Sequence, residues 1–382
     1  MILPGLRRVD SRQSGGIAII GQRHAFHIAA WDGNVSRPHA TVGHTPVQAI
    51  EETDSPDRFR STVESATSPM ILRGAVDNWK LVAAGKTGIE TALSYLRTHD
   101  TGEPVYTVVG QPEIDGKFGY ADNFTHLNYA ARRTPLSDVL SHLRVHPEPR
   151  RHAIAVQAAP AREVLRNWDS ENPMPYLPES VEPTLWVNNR AVVAPHSDIH
   201  DNIACVVAGG RRFTLFPPEA IRHMYLGPLL SAPGGVPVSA VAMQQPDLDR
   251  YPAYAQALAV AQQATLGPGD ALFIPALWWH GVESLEAFNA LVNYWFGGTG
   301  RSALSPYDAL SHAVLAIAEL PRDMRLRWRE YFDHLVFRIE DEPGAHLPAG
   351  LQDPITRPSD TQVREILQQL VAALNSSGNT GA

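Results

Sequence analysis

The chain has 382 residues, of which 44% are hydrophobic and 19% charged, and its net charge is −8 at pH 7. This composition provides for a large buried core and excludes a wholly disordered chain, while the acidic balance disfavours a general nucleic-acid-binding protein. The single cysteine, Cys205, excludes an intramolecular disulfide framework and a cysteine-based zinc cluster.

No apolar run approaches the ~18–20 residues that a transmembrane helix needs. Near the N-terminus, the apolar patch at residues 17–20 is shorter than the ~7–15-residue apolar core of a secretory signal. We therefore expect a cytoplasmic protein that has neither a membrane nor a nucleic acid as its partner.

The first 66 or so residues are mixed in character. Residues 1–67 carry no pattern to which a function can be assigned, and we treat them as an N-terminal extension. Beyond them, residues 69–74 are predicted to form a buried strand, and residues 88–97 have apolar side chains at helical spacing. A second helix is predicted at 136–143 and a further strand at 151–159.

The middle of the chain has a mainly β pattern. Short strands are predicted at residues 184–188, 190–194, 203–208, 211–216, 271–274 and 289–296. Gly209 and Gly210 supply the backbone freedom of a tight hairpin between two of these strands, and residues 254–264 are predicted to form a helix. Short strands separated by turns are typical of a sandwich or a jelly-roll barrel. The predicted fold class is therefore mainly β with flanking helices.

Helical spacing returns after residue 300. Helices are predicted at 307–320 and 323–337, followed by a linker rich in Pro, Gly and Asp at 341–361 and a last helix at 362–374. We therefore divide the chain into an extension (1–67), a β core (68–300), a helix pair (301–340), and a linker with a final helix and tail (341–382).

Two histidines and an aspartate form the candidate chemical site. His196 and Asp198 stand two residues apart at the end of a predicted strand, where alternation directs both side chains to one face. His280 follows another strand and supplies a third group. Two imidazoles and a carboxylate on one face match the facial triad of non-haem Fe(II) oxygenases. A His-x-Asp pair by itself is weak evidence, because two such residues often stand two apart by chance. The alternative is a surface histidine followed by an aspartate that forms a turn.

Four motifs follow one another along the chain: HSDIHDN at 196–202, VAGGRRFTLFPP at 207–218, GDALFIP and WWH within 269–280, and NYW at 293–295. Together they resemble the JmjC/cupin-like (cupin 8) family of Fe(II)/2-oxoglutarate-dependent oxygenases. The resemblance spans about residues 68–337 and is nearest to the branch of the asparaginyl hydroxylase that inhibits hypoxia-inducible factor. It implies a double-stranded β-helix core, with Fe(II), 2-oxoglutarate and O2 as cofactor and co-substrates.

The resemblance also implies residue roles. His196, Asp198 and His280 fall on the iron ligands, which are the catalytic centre, and Arg211 falls on the basic residue that pairs with the far carboxylate of 2-oxoglutarate. A planar guanidinium suits a carboxylate because it can donate two parallel hydrogen bonds.

Further roles concern the co-substrate and the substrate. Asn202 and Asn293 fall on amides near the co-substrate and the metal, although buried amides that satisfy backbone groups are an equal alternative. Gln157 matches a substrate-contacting glutamine of the family, and Trp295 falls on an aromatic residue near the metal shell that is also a candidate substrate contact. His200 is an additional histidine that we place at the mouth of the pocket.

Two positions depart from the family pattern. Val193 stands where a threonine is expected, and Ala155 stands where a tyrosine is expected. Both family residues would help to hold 2-oxoglutarate, so the departures put the mode of co-substrate binding in question.

The predicted function is hydroxylation of an amino-acid side chain in a protein or peptide. Hydroxylation of a small metabolite is the second hypothesis, and a metal-binding, ligand-sensing cupin without oxygenase activity is the third. The helices after residue 300 have broad apolar faces, and relatives often use helices at this position to dimerise, so we expect a homodimer. Packing of these faces against the barrel is the alternative.

Overall fold

A computed structural model describes residues 51–53, 63, 66–143, 152–229, 232–297, 305–340, 342–348 and 359–377. Most of the predicted N-terminal extension and most of the predicted linker lie outside the described residues. The described chain divides into two compact units, residues 1–300 and 301–382. The finer four-part division stays a prediction.

The first unit contains all the described strands. They are β1 Glu51–Thr53, β2 Met70–Leu72, β3 Pro104–Gly110, β4 Lys117–Phe118, β5 Tyr129–Pro135, β6 Ala153–Pro160, β7 Pro183–Asn188, β8 Val192–Ser197, β9 Asp201–Ala208, β10 Arg211–Phe216, β11 Gln262–Leu266, β12 Ala271–Ile274, β13 Trp279–Ser284 and β14 Asn289–Phe296. Its α-helices are α1 Lys80–Thr87, α2 Ile89–His99, α3 Leu136–Leu143, α4 Ala161–Val164, α5 Trp168–Glu171 and α6 Tyr254–Ala259. Short 3₁₀ turns cover Pro112–Ile114, Pro218–His223 and Pro233–Gly235.

The strands form two sheets. The larger has the order β1-β2-β12-β9-β14-β7-β6-β3-β5, and the smaller has the order β11-β10-β13-β8-β4. Apart from the β1–β2 and β4–β8 pairs, the strand pairs are antiparallel. This architecture confirms the predicted class: a mainly antiparallel jelly-roll core with flanking helices.

Alternation along β9 shows how the core is divided between the two sheets. Ala204 and Val206 belong to an apolar cluster with side chains of both sheets, such as Phe213 and Leu215 of β10. Cys205 faces the other way, into the cluster that contains α1 to α5, and is fully buried. A strand that is buried on both faces has a near-continuous apolar sequence, as residues 203–208 do.

Two local predictions were wrong. The predicted hairpin at Gly209–Gly210 does not pair its flanking strands, because β9 lies in the larger sheet and β10 in the smaller one. Gly209 adopts φ +69 where the chain crosses from one sheet to the other. The predicted helix 254–264 ends at Ala259, because residues 262–266 pair with β10 as strand β11.

The second unit is helical: α7 Pro306–Ile317, α8 Arg322–Phe332, a π-turn at Asp333–Phe337, and α9 Asp360–Ser377. Ser305 caps α7, since its side chain accepts a hydrogen bond from the backbone N–H of Tyr307. Among the described residues, no helix combines the length and apolarity that crossing a membrane requires. The cytoplasmic location stays a prediction.

Candidate metal centre and its barrel

The smaller sheet brings the two histidines together. β8 and β13 are antiparallel neighbours, and His196 lies directly opposite His280. Their ring centroids are 4.2 Å apart. Opposed residues of an antiparallel pair point to the same side of the sheet, so both imidazoles enter the barrel.

The hydrogen bonds of the rings determine which nitrogen is free. Nδ1 of His196 lies 3.0 Å from the carbonyl oxygen of Ala194, and Nδ1 of His280 lies 3.1 Å from that of Trp278. A carbonyl oxygen only accepts, so each Nδ1 carries the proton and each Nε2 presents its lone pair. A backbone carbonyl is a common second partner of a metal-binding histidine.

Asp198 completes the group. One ligand atom from each of His196, Asp198 and His280 lies within 4.8 Å of the others. Asp198 Oδ2 is 3.7 Å from Nε2 of His280. Burial, reinforced by the nearby His196, lowers the pKa of His280 to about 4, while Asp198 partly offsets this. His280 is therefore a neutral imidazole at pH 7, which is the form that binds a metal.

Loop contacts hold Asp198, whereas we expected strand alternation to place it. Strand β8 ends at Ser197, so Asp198 and His200 lie in the loop that leads to β9. The carbonyl oxygen of Asp198 accepts from the N–H of Leu277 at 2.7 Å, and Asp201 Oδ1 accepts from the N–H of Ala276 at 2.8 Å. These bonds tie the loop that carries Asp198 to the loop that precedes His280.

A chain of side-chain hydrogen bonds lines the barrel beside this group. Trp186 Nε1 donates to Asn293 Oδ1 at 2.7 Å, and Asn293 Nδ2 donates to Asn202 Oδ1 at 3.0 Å. Both asparagines are buried. Trp295 Nε1 donates to Asp198 Oδ2 at 3.1 Å. Trp295 therefore contacts a metal-ligand candidate directly, whereas Asn202 and Asn293 are bonded to each other, and their roles near the metal stay predictions.

Arg211 is a buried cation on the inner side of β10. It is 4% exposed, its Nε has no hydrogen-bond partner, and burial lowers its pKa to about 10. When the Asn188 amide is oriented to satisfy its neighbours, its oxygen accepts from Arg211 Nη2 at 3.2 Å and its nitrogen donates to Ser284 Oγ at 2.7 Å. The ion pairs of the described residues give Arg211 no carboxylate. Such an uncompensated charge is costly, and the arrangement therefore favours an anionic ligand.

The next residue shows the contrast. Arg212 points to the other side of β10, where its side chain is 41% exposed and lies 3.7 Å from Glu283. Alternation along the strand thus places one arginine inside the barrel and the other at the surface.

The two departures from the family pattern lie among apolar neighbours. Ala155 belongs to a small cluster with Val108 and Phe118, and Val193 packs against the barrel core.

Asn188 and Ser284, which sequence reasoning missed, are the polar groups beside Arg211. Asn188 stands at the end of a predicted strand, whereas the strand that ends at Ser284 was not predicted, and the proximity of both to Arg211 depends on how the two sheets face each other.

Two proposed substrate-side residues are less well defined. Gln157 lies on β6, two residues beyond Ala155, and is half-buried, as is His200. Among the described residues, no hydrogen bond or ion pair connects either side chain to the metal-ligand candidates. Their roles stay predictions.

Residues 56–301 match the family model of the cupin-like domain. The chain is 37% identical over 113 residues to the lysine-specific demethylase JMJ31 of Arabidopsis thaliana, an alignment that covers 29% of this chain and 20% of that protein. It is 33% identical over 162 residues to tRNA wybutosine-synthesizing protein 5 of Mus musculus, covering 38% and 47%.

A third relative is matched over more of its length. The bifunctional peptidase and (3S)-lysyl hydroxylase JMJD7 of Homo sapiens is 28% identical over 282 residues, covering 65% of this chain and 84% of that protein. The solved structure of E. coli ycfD superimposes with a TM-score of 0.39 at 15% identity, over 73% of this chain and 68% of that chain. A TM-score this low carries no argument about the fold, which rests on the family match instead.

The family match covers more than half of the chain, and the chain belongs to the cupin-like domain family. This confirms the resemblance at the level of the family. Assignment to the asparaginyl hydroxylase branch stays a prediction.

Proposed function

We propose that this protein is an Fe(II)- and 2-oxoglutarate-dependent oxygenase that hydroxylates an amino-acid side chain of a protein or peptide. The observation that carries the proposal is the buried guanidinium of Arg211, which has no carboxylate partner among the described ion pairs, inside the barrel that holds His196, Asp198 and His280. A metal-binding cupin that did not bind an organic anion would have no use for that charge.

The donor set fits the metal. Two imidazoles and one carboxylate, with coordination positions left for other ligands, are characteristic of non-haem Fe(II) oxygenases. When bound, Fe(II) supplies the activation of O2 that is coupled to oxidation of 2-oxoglutarate to succinate and carbon dioxide. The part of the chain is to hold the metal through Nε2 of His196 and His280 and a carboxylate oxygen of Asp198.

The interior also fits a dicarboxylate. Arg211 and Leu215 are four residues apart on β10, and Leu215 lies opposite His280. Four strand residues span about 13 Å. An extended dicarboxylate has one carboxylate for Arg211 and another for the metal, and the Asn188 and Ser284 side chains add polar partners beside Arg211. This arrangement supports anchoring of 2-oxoglutarate by Arg211, although Val193 and Ala155 replace the threonine and tyrosine whose hydroxyl groups would help to hold it in the family.

The remaining barrel residues protect and orient the reaction. Asn202 and Asn293 present amides beside the metal ligands, and the apolar walls at Val193 and Phe213 exclude water from the co-substrate.

The names of the relatives JMJD7 and JMJ31, a hydroxylase and a demethylase, support an oxygenase with a peptide substrate. The expectation that no nucleic acid is bound stays a prediction.

We also propose a homodimer formed through the second unit. Exposed apolar side chains follow one side of α8 and its π-turn at helical spacing: Met324, Trp328, Tyr331 and Leu335. Leu310 and Val314 form a similar pair on α7. Apolar surface of this extent on neighbouring helices is typical of an interface between subunits.

Turnover of 2-oxoglutarate tests the activity. With Fe(II), ascorbate and O2, the wild type is expected to form succinate, and H280A is expected to form none above the background of free iron. H142A, which changes an exposed histidine on α3, is the matched control and retains the wild-type rate. Peptide and metabolite panels, read by mass for gain of one oxygen atom, then identify the substrate class.

Two results would contradict this proposal. If the wild type binds Mn(II) but neither binds nor consumes 2-oxoglutarate, the sensing cupin is the better description. If only small metabolites gain oxygen, the chemistry stands and the peptide substrate is wrong.

A further inference from the structure

We propose that Trp295 is a positioning residue whose indole N–H fixes the carboxylate of Asp198 for metal binding. This rests on the metal centre of the proposed function. The family resemblance places Trp295 only near the metal shell, whereas in the structure its indole N–H donates to Asp198 Oδ2 at 3.1 Å.

Asp198 needs such a partner because its backbone position does not orient its carboxylate. It lies beyond the end of β8, and the bond from Leu277 N–H holds only its carbonyl oxygen. The torsion that turns an aspartate carboxylate is broad and roughly two-fold. A fixed donor on one oxygen selects one orientation and makes the two oxygens inequivalent.

Trp295 is itself held in place from two directions. Its backbone pairs with that of Asn202 in the β14–β9 ladder. Its ring packs edge-on against Trp186, with centroids 6.0 Å apart and an interplanar angle of 83°. Trp186 is fixed in turn by its hydrogen bond to Asn293. The donor therefore stands on rigid strands, as a group that positions a ligand must.

An indole N–H is well suited to this task. It donates but does not accept, and it carries no charge, so it neither binds the metal nor takes the proton of another group. Outer partners of metal ligands typically change metal affinity by about 10–100-fold when they are removed. We expect the same range for the Trp295 N–H.

The test removes the N–H and keeps the ring. Trp295 is replaced by β-(3-benzothienyl)alanine, in which sulfur occupies the place of the indole N–H, and Mn(II) affinity is measured by EPR titration. We expect affinity to fall by about tenfold or more, with an unchanged thermal midpoint of the metal-free protein. The same replacement at Trp79 is the matched control, because it removes a buried indole N–H that donates to the carbonyl oxygen of Pro173 and not to Asp198, and it is expected to change affinity less than about twofold.

The outcomes distinguish failure of the Trp295 role from failure of the metal centre itself. If the Trp295 replacement binds Mn(II) within about twofold of the wild type, or if the Trp79 replacement weakens binding equally, Trp295 is not a positioning residue. If the folded wild type does not bind Mn(II), the metal centre of the proposed function is wrong and this inference fails with it. A W295F variant, read by the same titration, repeats the test with a natural residue.

Discussion

The two adjacent arginines on β10 show how one strand position decides the energetic role of a side chain. Arg211 gives up its hydration on the inner side and gains only polar neutral partners, whereas Arg212 keeps water and a nearby carboxylate. A charge buried without a counter-ion destabilises the protein that carries it, and a bound anion relieves that cost. Residues retained for binding are often of this kind.

Replacement of Arg211 by an apolar residue tests this reading. We expect R211M to raise the free energy of unfolding of the ligand-free protein by about 1 kcal/mol or more, because the buried charge is removed. The stabilisation that 2-oxoglutarate with Mn(II) gives the wild type should vanish. Urea unfolding with and without these ligands measures both effects.

R212M is the matched control, since it removes the same side chain from the opposite side of the strand. It should leave ligand stabilisation intact and change stability by less than about 0.5 kcal/mol. Equal behaviour of the two variants would contradict the assignment of Arg211 to an anion.

Helix α1 approaches strand β9 so closely that one position has no space for a side chain. A Cβ atom at Gly85 would overlap the carbonyl oxygen of Val207 and lie 3.1 Å from Cα of Ala208. These are backbone atoms of the central sheet, so they cannot move aside as a flexible side chain would. The glycine sets the distance between this helix and the strand that leads away from Asp198.

We therefore expect G85A to lower the free energy of unfolding by about 2 kcal/mol, since overpacking of a rigid contact typically costs about 1–3 kcal/mol. G119A is the control, because a Cβ at Gly119 meets nothing within 4 Å. Urea unfolding compares the two. A G85A protein as stable as G119A would show that the helix can shift without cost.

A polar cluster connects helices α1, α2 and α5 at Glu171. Its carboxylate accepts from Lys80 Nζ at 3.0 Å and from the Tyr95 hydroxyl at 2.9 Å, and it lies 3.2 Å from Nε2 of His99. The hydrogen bond from Lys80, followed by that from Tyr95, lowers the pKa of Glu171. Because the folded value is depressed, the resulting stabilisation is present above the ordinary glutamate pKa of 4.5 and is lost as pH falls through the folded value.

E171Q tests this pH dependence. At pH 7 the variant should lose about 1 kcal/mol of unfolding free energy, the net scale of a typical hydrogen bond, because the exposed Lys80 partner is screened by solvent. The difference from the wild type should shrink as pH falls below 4.5. Unfolding curves between pH 3 and 7 measure it, with E103Q as an exposed control. A difference that stays constant over this range would show that the charge of Glu171 does not contribute.

At the scale of the whole molecule, the two units differ in how they use apolar residues. In the first unit the apolar side chains fill the space between and around the sheets. In the described part of the second unit, helices α7 and α8 bury no residue, and large side chains such as Trp328 and Tyr331 are exposed. A second copy of the same helices would provide each with a self-complementary partner.

The dimer is tested by a charge on the apolar side of α8. The wild type is expected to sediment at twice the chain mass of 41.8 kDa at micromolar concentration. W328E/L335E should sediment as a monomer, because each interface would bury unpaired carboxylates. E330K, on the opposite side of the helix, should remain dimeric. A monomeric wild type would exclude the dimer.

The sequence by itself determined the elements and the candidate ligands. Strand β10, strand β12, strand β14 and helix α3 have the predicted bounds, because alternation, helical spacing and flanking Pro or Gly residues are local properties. His196, Asp198 and His280 could be selected because the motifs that carry them resemble those of the cupin-like oxygenases, whereas the spacing of His196 and Asp198 alone was weak evidence.

Only the tertiary structure decided which partner each of these residues meets. Gly209 and Gly210 indicate a turn in any sequence, but whether the turn closes a hairpin or crosses between sheets depends on pairing with distant strands. The surroundings that leave Arg211 without a carboxylate partner are formed by residues far apart in the chain. The bond from Trp295 to Asp198 likewise joins distant residues. Local patterns fix conformation over a few residues, whereas burial and hydrogen-bond partners are set by how the two sheets close upon each other.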